Sequence, residues 1–97
     1  MTKEEFRKLT EQTLILDGAT GSNLMASGMP RGICTETWVI DHKDIIQNLQ
    51  RAYIKAGSQV IYAPTFGGNR LNLEKHGLAD RIEEINRTLV GFTLKFI

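Results

Sequence analysis

Residues 14–24 read LILDGATGSNL, an apolar run that ends in a glycine-rich turn. The run at 13–16 is too short and too uniformly apolar for an amphipathic helix, so it predicts a strand buried on both faces. Asp17 then lies at the carboxyl end of this strand, and residues 22–27 predict a brief helix that stops at Gly28. A strand that leads through a glycine turn into a helix is a common anion-binding arrangement, which makes the turn a candidate ligand site.

The rest of the chain predicts helices and one further strand. Residues 59–63 contain the apolar run VIYA and predict a second buried strand, which Pro64 helps to end. Between the two strands, residues 41–56 predict an amphipathic helix that is capped by Asp41 or a neighbour and closed by Gly57. Its apolar stripe consists of Ile45, Leu49, Ala52, Tyr53 and Ala56. The other predicted segments are a helix at 2–11 with a Thr2–Glu5 capping box, helices at 69–76 and 78–96, and a loop at 29–37.

Two buried strands separated by a helix predict a parallel pair joined by a right-handed crossover. This unit builds both the doubly wound sheet and the eight-stranded barrel, so the predicted fold class is α/β. In either architecture the loops at the carboxyl ends of the strands carry the chemistry. Those loops are residues 17–22 and 65–69 here. No repeat, low-complexity tract or linker marks a second domain, so residues 1–97 are expected to belong to one domain.

Composition narrows the class of partner. The net charge is +1, which gives no electrostatic case for nucleic acid binding. Cys34 is the single cysteine and cannot form an internal disulfide, and the sequence contains no signal peptide. It also lacks an apolar run near the ~18 residues of a membrane span. We therefore expect a cytoplasmic protein without a membrane partner.

The glycine-rich turn does not fit a nucleotide site well. A dinucleotide fingerprint G-x-G-x-x-G would need glycine at Leu24, and a P-loop would need lysine after Gly21. Asp17 adds a negative charge at the mouth of the turn, where it would repel phosphate. An ammonium could instead meet Asp17 while a carboxylate of the same ligand meets the N–H groups of the turn. That charge layout is the layout of an amino acid.

Two blocks carry a family resemblance: LDGATGSNLMASG at 16–28 and RAYIKAGSQVIYAPTFGGNRLNLEKHGL at 51–78. They resemble the homocysteine S-methyltransferase family, and come nearest to the homocysteine-binding domain of its cobalamin-dependent members. The resemblance implies a TIM (β/α)8 barrel, of which residues 1–97 would be the N-terminal βα units. It also implies a zinc ion that holds the thiolate of homocysteine while the thiolate takes a methyl group from a second substrate and becomes methionine.

The resemblance also implies which residues bind the substrate. Asp17 matches the acid that binds the substrate amino group, and Glu36 matches an acidic residue of the first long loop. The implied substrate-binding residues are Asp17, Gly18, Ala19, Thr20, Gly21, Ser22, Glu36, Thr65 and Phe66. Two positions depart from the family pattern, because Pro64 stands where many members have Asn and Gln50 stands where many have His.

The family's zinc ligands are three cysteines in later strands and loops, so they are expected beyond residue 97. Cys34 does not match one of them. A complete barrel takes ~250 residues, so the chain is expected to be a partial copy without catalytic or metal-binding residues, inactive alone. Its expected partners are homocysteine and the remainder of the barrel, or a second copy joined through strand edges. Cobalamin is the favoured methyl carrier, and a folate, betaine and S-methylmethionine stay open as donors.

Two alternatives stay open at this point. A chain of this length without metal ligands is also consistent with a non-catalytic fragment that binds no ligand tightly. A nucleotide-binding α/β domain requires that Leu24 be tolerated in place of the third glycine of the fingerprint.

Overall fold

The computed structural model describes residues 1–96, and within them the secondary structure is helical. The helices are α1 (Lys3–Thr10), α2 (Gly21–Ala26), α3 (Thr35–Asp41), α4 (Lys43–Ala56), α5 (Arg70–Glu74) and α6 (Ile82–Leu94). A short 3-10 helix, Ala79–Arg81, leads into α6. No helix in this part of the chain is both long enough and apolar enough to span a membrane.

The predicted α/β class is wrong for this structure. Residues 1–96 contain no sheet and no βα unit of a barrel, and the two predicted strands meet in one isolated parallel bridge between Leu16 and Val60. Around the bridge, the Asp17 N–H donates to the Val60 carbonyl at 3.0 Å and the Val60 N–H donates to the Ile15 carbonyl at 3.2 Å.

The physical reason is that nothing covers both faces of these two segments. Ile15 and Leu16 are 54% and 47% exposed, whereas a strand buried on both faces would hide them. Two short extended segments without further strands form at most a marginal sheet. An apolar run at 13–16 is therefore compatible with extended backbone that pairs at a single point.

The helix ends follow the local sequence. The capping box of α1 is confirmed, because the Glu5 N–H donates to Thr2 Oγ1 at 3.1 Å and the Thr2 N–H donates to Glu5 Oε2 at 3.0 Å. The predicted stop of α4 is confirmed at Gly57, whose φ of +115° favours glycine. Of the two possibilities for the start of α4, the structure has the neighbour, because Asp41 ends α3 and His42 is the N-cap residue, without a side-chain hydrogen bond to the helix. The predicted loop at 29–37 is wrong from Thr35 onward, where α3 begins.

The core lies where α3, α4 and α6 pack against one another. Its buried residues are Leu24, Cys34, Val39, Ile46, Leu73, Ile85 and Leu89. Burial of a side chain such as leucine or isoleucine contributes ~1.5–3 kcal/mol. Helix α1 contributes no buried residue. The packed part of the molecule is therefore helix on helix, and the extended segments lie beside it.

Candidate functional site

A cleft of about 980 Å³ opens between the helices and the two extended segments. Seven of the nine residues that the resemblance implies line it, namely Asp17, Gly18, Thr20, Gly21, Glu36, Thr65 and Phe66. The lining does not include Ala19 in the turn or Ser22 at the start of α2, and both residues are exposed. The structure thus brings the loops at 17–22 and 65–69 to one cleft. That these residues bind a substrate remains a prediction.

Asp17 lies half-buried at the wall of this cleft, next to the paired backbone. Its Oδ2 accepts a hydrogen bond from the Tyr62 N–H at 3.2 Å, and its own N–H donates to Val60. These bonds fix the carboxylate relative to residues 60–62. An ionised carboxylate offers about four acceptor positions, so the bond from Tyr62 leaves capacity for a ligand.

The turn after Asp17 is held against α4 by Tyr53. The Tyr53 hydroxyl donates to the Ala19 carbonyl at 2.8 Å. A Cβ atom at Gly18 would lie 3.0 Å from the Tyr53 hydroxyl oxygen, closer than ordinary contact, so a larger residue would push the turn and the ring apart. Gly18 therefore allows the turn to approach α4, which sets one edge of the cleft.

Glu36 enters the cleft from the first turn of α3 and is only 4% exposed. Its Oε2 accepts from the Gly67 N–H at 3.1 Å, and the Cys34 thiol approaches Oε1 at 3.8 Å. The Gly67 carbonyl accepts from Asn72 Nδ2 at 2.8 Å. Glu36 is thus the contact that ties the loop after the second extended segment to α3. Phe66, one residue earlier, is fully exposed.

Gln50, Tyr62 and Asn72 also line the cleft, although the sequence did not single them out as site residues. Gln50 is 3% exposed, and its Nε2 donates to Thr93 Oγ1 at 2.8 Å and, at 3.5 Å, to the Tyr62 carbonyl. Its Oε1 is buried and has no partner among the described residues. One sequence signal could have indicated that Gln50 is buried: it lies four positions after Ile46 and therefore on the same face of α4.

The described residues do not fit a zinc site. Residues 1–96 contain no group of three or more His, Cys, Asp or Glu side chains that could hold a metal ion. A structural or catalytic zinc site needs three or four protein ligands. Cys34 is buried and faces Glu36. That the zinc ligands lie beyond residue 97 stays a prediction.

Comparison with known proteins agrees with the resemblance of the two sequence blocks. The profile of the homocysteine S-methyltransferase family matches residues 14–95, so the chain belongs to that family. The methionine synthase of Mycobacterium tuberculosis is 31% identical over 85 residues, which cover 81% of this chain and 7% of the relative. The methionine synthase of Mycobacterium leprae is 28% identical over 85 residues with the same coverage.

No solved structure matches the chain significantly. The chain spans about 7% of the length of the two methionine synthases. The family membership rests on residues 14–95, which the family profile matches.

Proposed function

We propose that the cleft binds the amino-acid end of homocysteine, and that the protein containing these residues methylates the homocysteine thiolate to give methionine. Family membership and the names of the methionine synthase relatives support the reaction class. The observation that carries the proposal is the position of Asp17. Its carboxylate lies at the wall of a cleft that also receives Glu36 and the loop at 65–67.

The charges in the cleft support an amino-acid ligand. Asp17 supplies a half-buried carboxylate for the ammonium group of homocysteine. Gly18 and Gly21 of the neighbouring turn are exposed and line the cleft, and backbone N–H groups there are suited to the substrate carboxylate. In this proposal Asp17 orients the substrate and takes no part in proton transfer.

The proposal assigns only the amino-acid end of the substrate to this chain. Zinc, which the family resemblance implies at the thiol, finds no fitting ligand set in residues 1–96. Cobalamin is the methyl carrier favoured by the resemblance, and no described residue is assigned to it.

Titration calorimetry with L-homocysteine tests the proposal. Asp17→Asn keeps an oxygen that can accept from the Tyr62 N–H but removes the charge. Loss of one charge-assisted bond, worth ~1.5–3 kcal/mol, should weaken homocysteine binding about tenfold or more. Asp80→Asn, an exposed aspartate outside the cleft lining, is the matched control and should bind as the original protein does.

A second ligand separates the charge of Asp17 from its structural role. 4-Mercaptobutanoate is homocysteine without its amino group, so Asp17→Asn should leave its affinity unchanged. If Asp17→Asn binds homocysteine as tightly as the original protein does, Asp17 is not the ammonium ligand. If the original protein binds no homocysteine, the fragment without a tight ligand becomes the better interpretation.

A further inference from the structure

The Glu36 carboxylate is buried without a cation beside it. Among residues 1–96 the ion pairs are the surface pairs Arg7–Glu4, Arg81–Glu84 and Arg87–Glu83. Burial of a charge is costly unless hydrogen bonds or an opposite charge compensate it. The two oxygens of Glu36 instead meet the Gly67 N–H and the Cys34 thiol. Hydrogen-bond donors of the protein therefore compensate the burial of this carboxylate, in place of an opposite charge.

Gly67 is held from both sides. Its N–H donates to Glu36 and its carbonyl accepts from Asn72. A Cβ atom at Gly67 would lie 2.7 Å from Glu36 Oε1 and 2.8 Å from Asn72 Nδ2, closer than real Cβ atoms approach. The absence of a side chain at Gly67 thus lets α3 and α5 both hydrogen-bond to the backbone of this one residue.

Asn72, which bonds to the Gly67 carbonyl, also takes part in the N-terminal cap of α5. The Asn72 N–H donates to Asn69 Oδ1 at 2.8 Å, which caps the first turn of α5. Thr65 and Gly68 close the loop on the other side, because the Gly68 N–H donates to the Thr65 carbonyl at 2.9 Å. Glu36 therefore accepts a hydrogen bond from a loop whose two ends already carry hydrogen bonds of their own.

We propose that Glu36 is a positioning residue: its carboxylate holds the loop at 65–67 at the cleft by accepting from the Gly67 N–H, and it does not contact the substrate ammonium. This inference rests on the proposed function, which makes homocysteine the ligand of the cleft. It replaces the substrate-binding role that the resemblance implies for Glu36. The required property of Glu36 is a hydrogen-bond acceptor of the right length, and its charge is secondary.

The inference is tested first without ligand, by amide hydrogen exchange at Gly67. Glu36→Ala removes the acceptor and should speed exchange at Gly67 about tenfold or more, whereas Glu36→Gln retains an acceptor oxygen and should preserve the protection. Gly67→Ala should disturb the same contact by steric clash. Gly91→Ala, where an added Cβ meets nothing within 4 Å, is the control for a glycine change. Equal protection of Gly67 in Glu36→Ala and the original protein would overturn the inference.

Calorimetry then tests the consequence for binding. Glu36→Ala and Gly67→Ala should weaken homocysteine and 4-mercaptobutanoate by similar factors, about five- to tenfold. Glu36→Gln should restore both affinities to within about twofold of the original protein. If Glu36→Gln weakens homocysteine about tenfold and spares 4-mercaptobutanoate, Glu36 binds the ammonium and the inference is wrong. Failure of the proposed function would show separately, as equal homocysteine affinity in Asp17→Asn and the original protein.

Discussion

The molecule has a helical side, formed by α3, α4 and α6, and an extended side, formed by residues 13–17 and 58–63. The two sides satisfy their backbone hydrogen bonds in different ways. Helices α3, α4 and α6 satisfy most of their N–H and C=O groups within each helix and bury apolar side chains against one another. Residues 13–17 and 58–63 pair through one bridge and a few flanking hydrogen bonds. Leu89 on α6 is fully buried, whereas Tyr62 in an extended segment is 66% exposed.

This difference explains where the candidate site lies. Asp17 follows the first extended segment and Gly67 follows the second, so these two parts of the cleft come from the less packed side. The helical side supplies Glu36, Gln50 and Tyr53 as fixed supports. Stability should therefore depend mainly on one side of the molecule and ligand binding on the other.

The largest expected effect is in the helical core. Leu89→Ala should lower the free energy of unfolding by about 2–5 kcal/mol, because it leaves a cavity between packed helices. Leu16→Ala, in the half-exposed segment, should cost less than about 1 kcal/mol. Denaturant unfolding measures both changes. Equal losses would show that the extended side is as well packed as the helices.

The second-largest effect on the free energy of unfolding is expected at Gly57, where α4 ends and the second extended segment begins. Gly57 ends α4 with a φ of +115°, so Gly57→Ala should lower the free energy of unfolding by about 1–2 kcal/mol. Gly91→Ala lies inside α6 and should be neutral or stabilising by up to about 1 kcal/mol. Thermal melts of the two variants compare them directly. A neutral Gly57→Ala variant would contradict the left-handed end of α4.

A smaller effect separates two glutamines on α4. Gln47 donates from Nε2 to the Phe92 carbonyl at 3.2 Å, and Gln47→Leu should cost about 1 kcal/mol because that carbonyl loses its donor. Gln50→Leu also loses hydrogen bonds but removes the buried unpartnered Oε1, so its net cost should be smaller. Denaturant unfolding of the two variants is the measurement. A costlier Gln50→Leu would indicate that Gln50 Oε1 is satisfied in solution.

The smallest effect concerns an exposed ion pair between the short 3-10 helix and the first turn of α6. The Arg81 guanidinium lowers the pKa of Glu84, through its hydrogen bonds first and its charge second. A carboxyl whose pKa is lower in the folded state stabilises the fold above its unfolded pKa, and this contribution is lost as pH falls below about 4.3. Melting midpoints from neutral pH to about 3 should fall slightly less in Glu84→Gln. Glu74→Gln, another exposed glutamate, is the control, and identical profiles of all three proteins would exclude a role for the pair.

Helix ends were predictable because their signals are local. Thr2 and Glu5 lie within one turn of each other, and Gly57 ends α4 through its own backbone. The predicted stripe of α4 was less accurate, since Ala52 and Ala56 are exposed while Ile46, Gln47 and Gln50 are buried. Apolar character alone predicted that the alanines of α4 would face the core. Which face of α4 is actually buried depends on where α6 packs against it.

The extended segments could not be predicted from their own residues. Apolar character at 13–16 and 59–63 describes a preference for burial, but burial depends on what packs against the segment. The candidate site shows the same division. The motif residues Asp17 and Thr65 were recognisable in sequence, whereas the contacts of Tyr53 with Ala19 and of Asn72 with Gly67 join residues from different elements.

Hydrogen–deuterium exchange with and without L-homocysteine tests the central claim most directly, because it reports on both sides of the molecule in one experiment. The account predicts that homocysteine slows exchange in residues 17–22 and 60–67, while exchange in α3, α4 and α6 changes little. 4-Mercaptobutanoate should protect the same segments more weakly. Homocysteine-dependent protection confined to the helices, or no protection in either segment, would contradict the account.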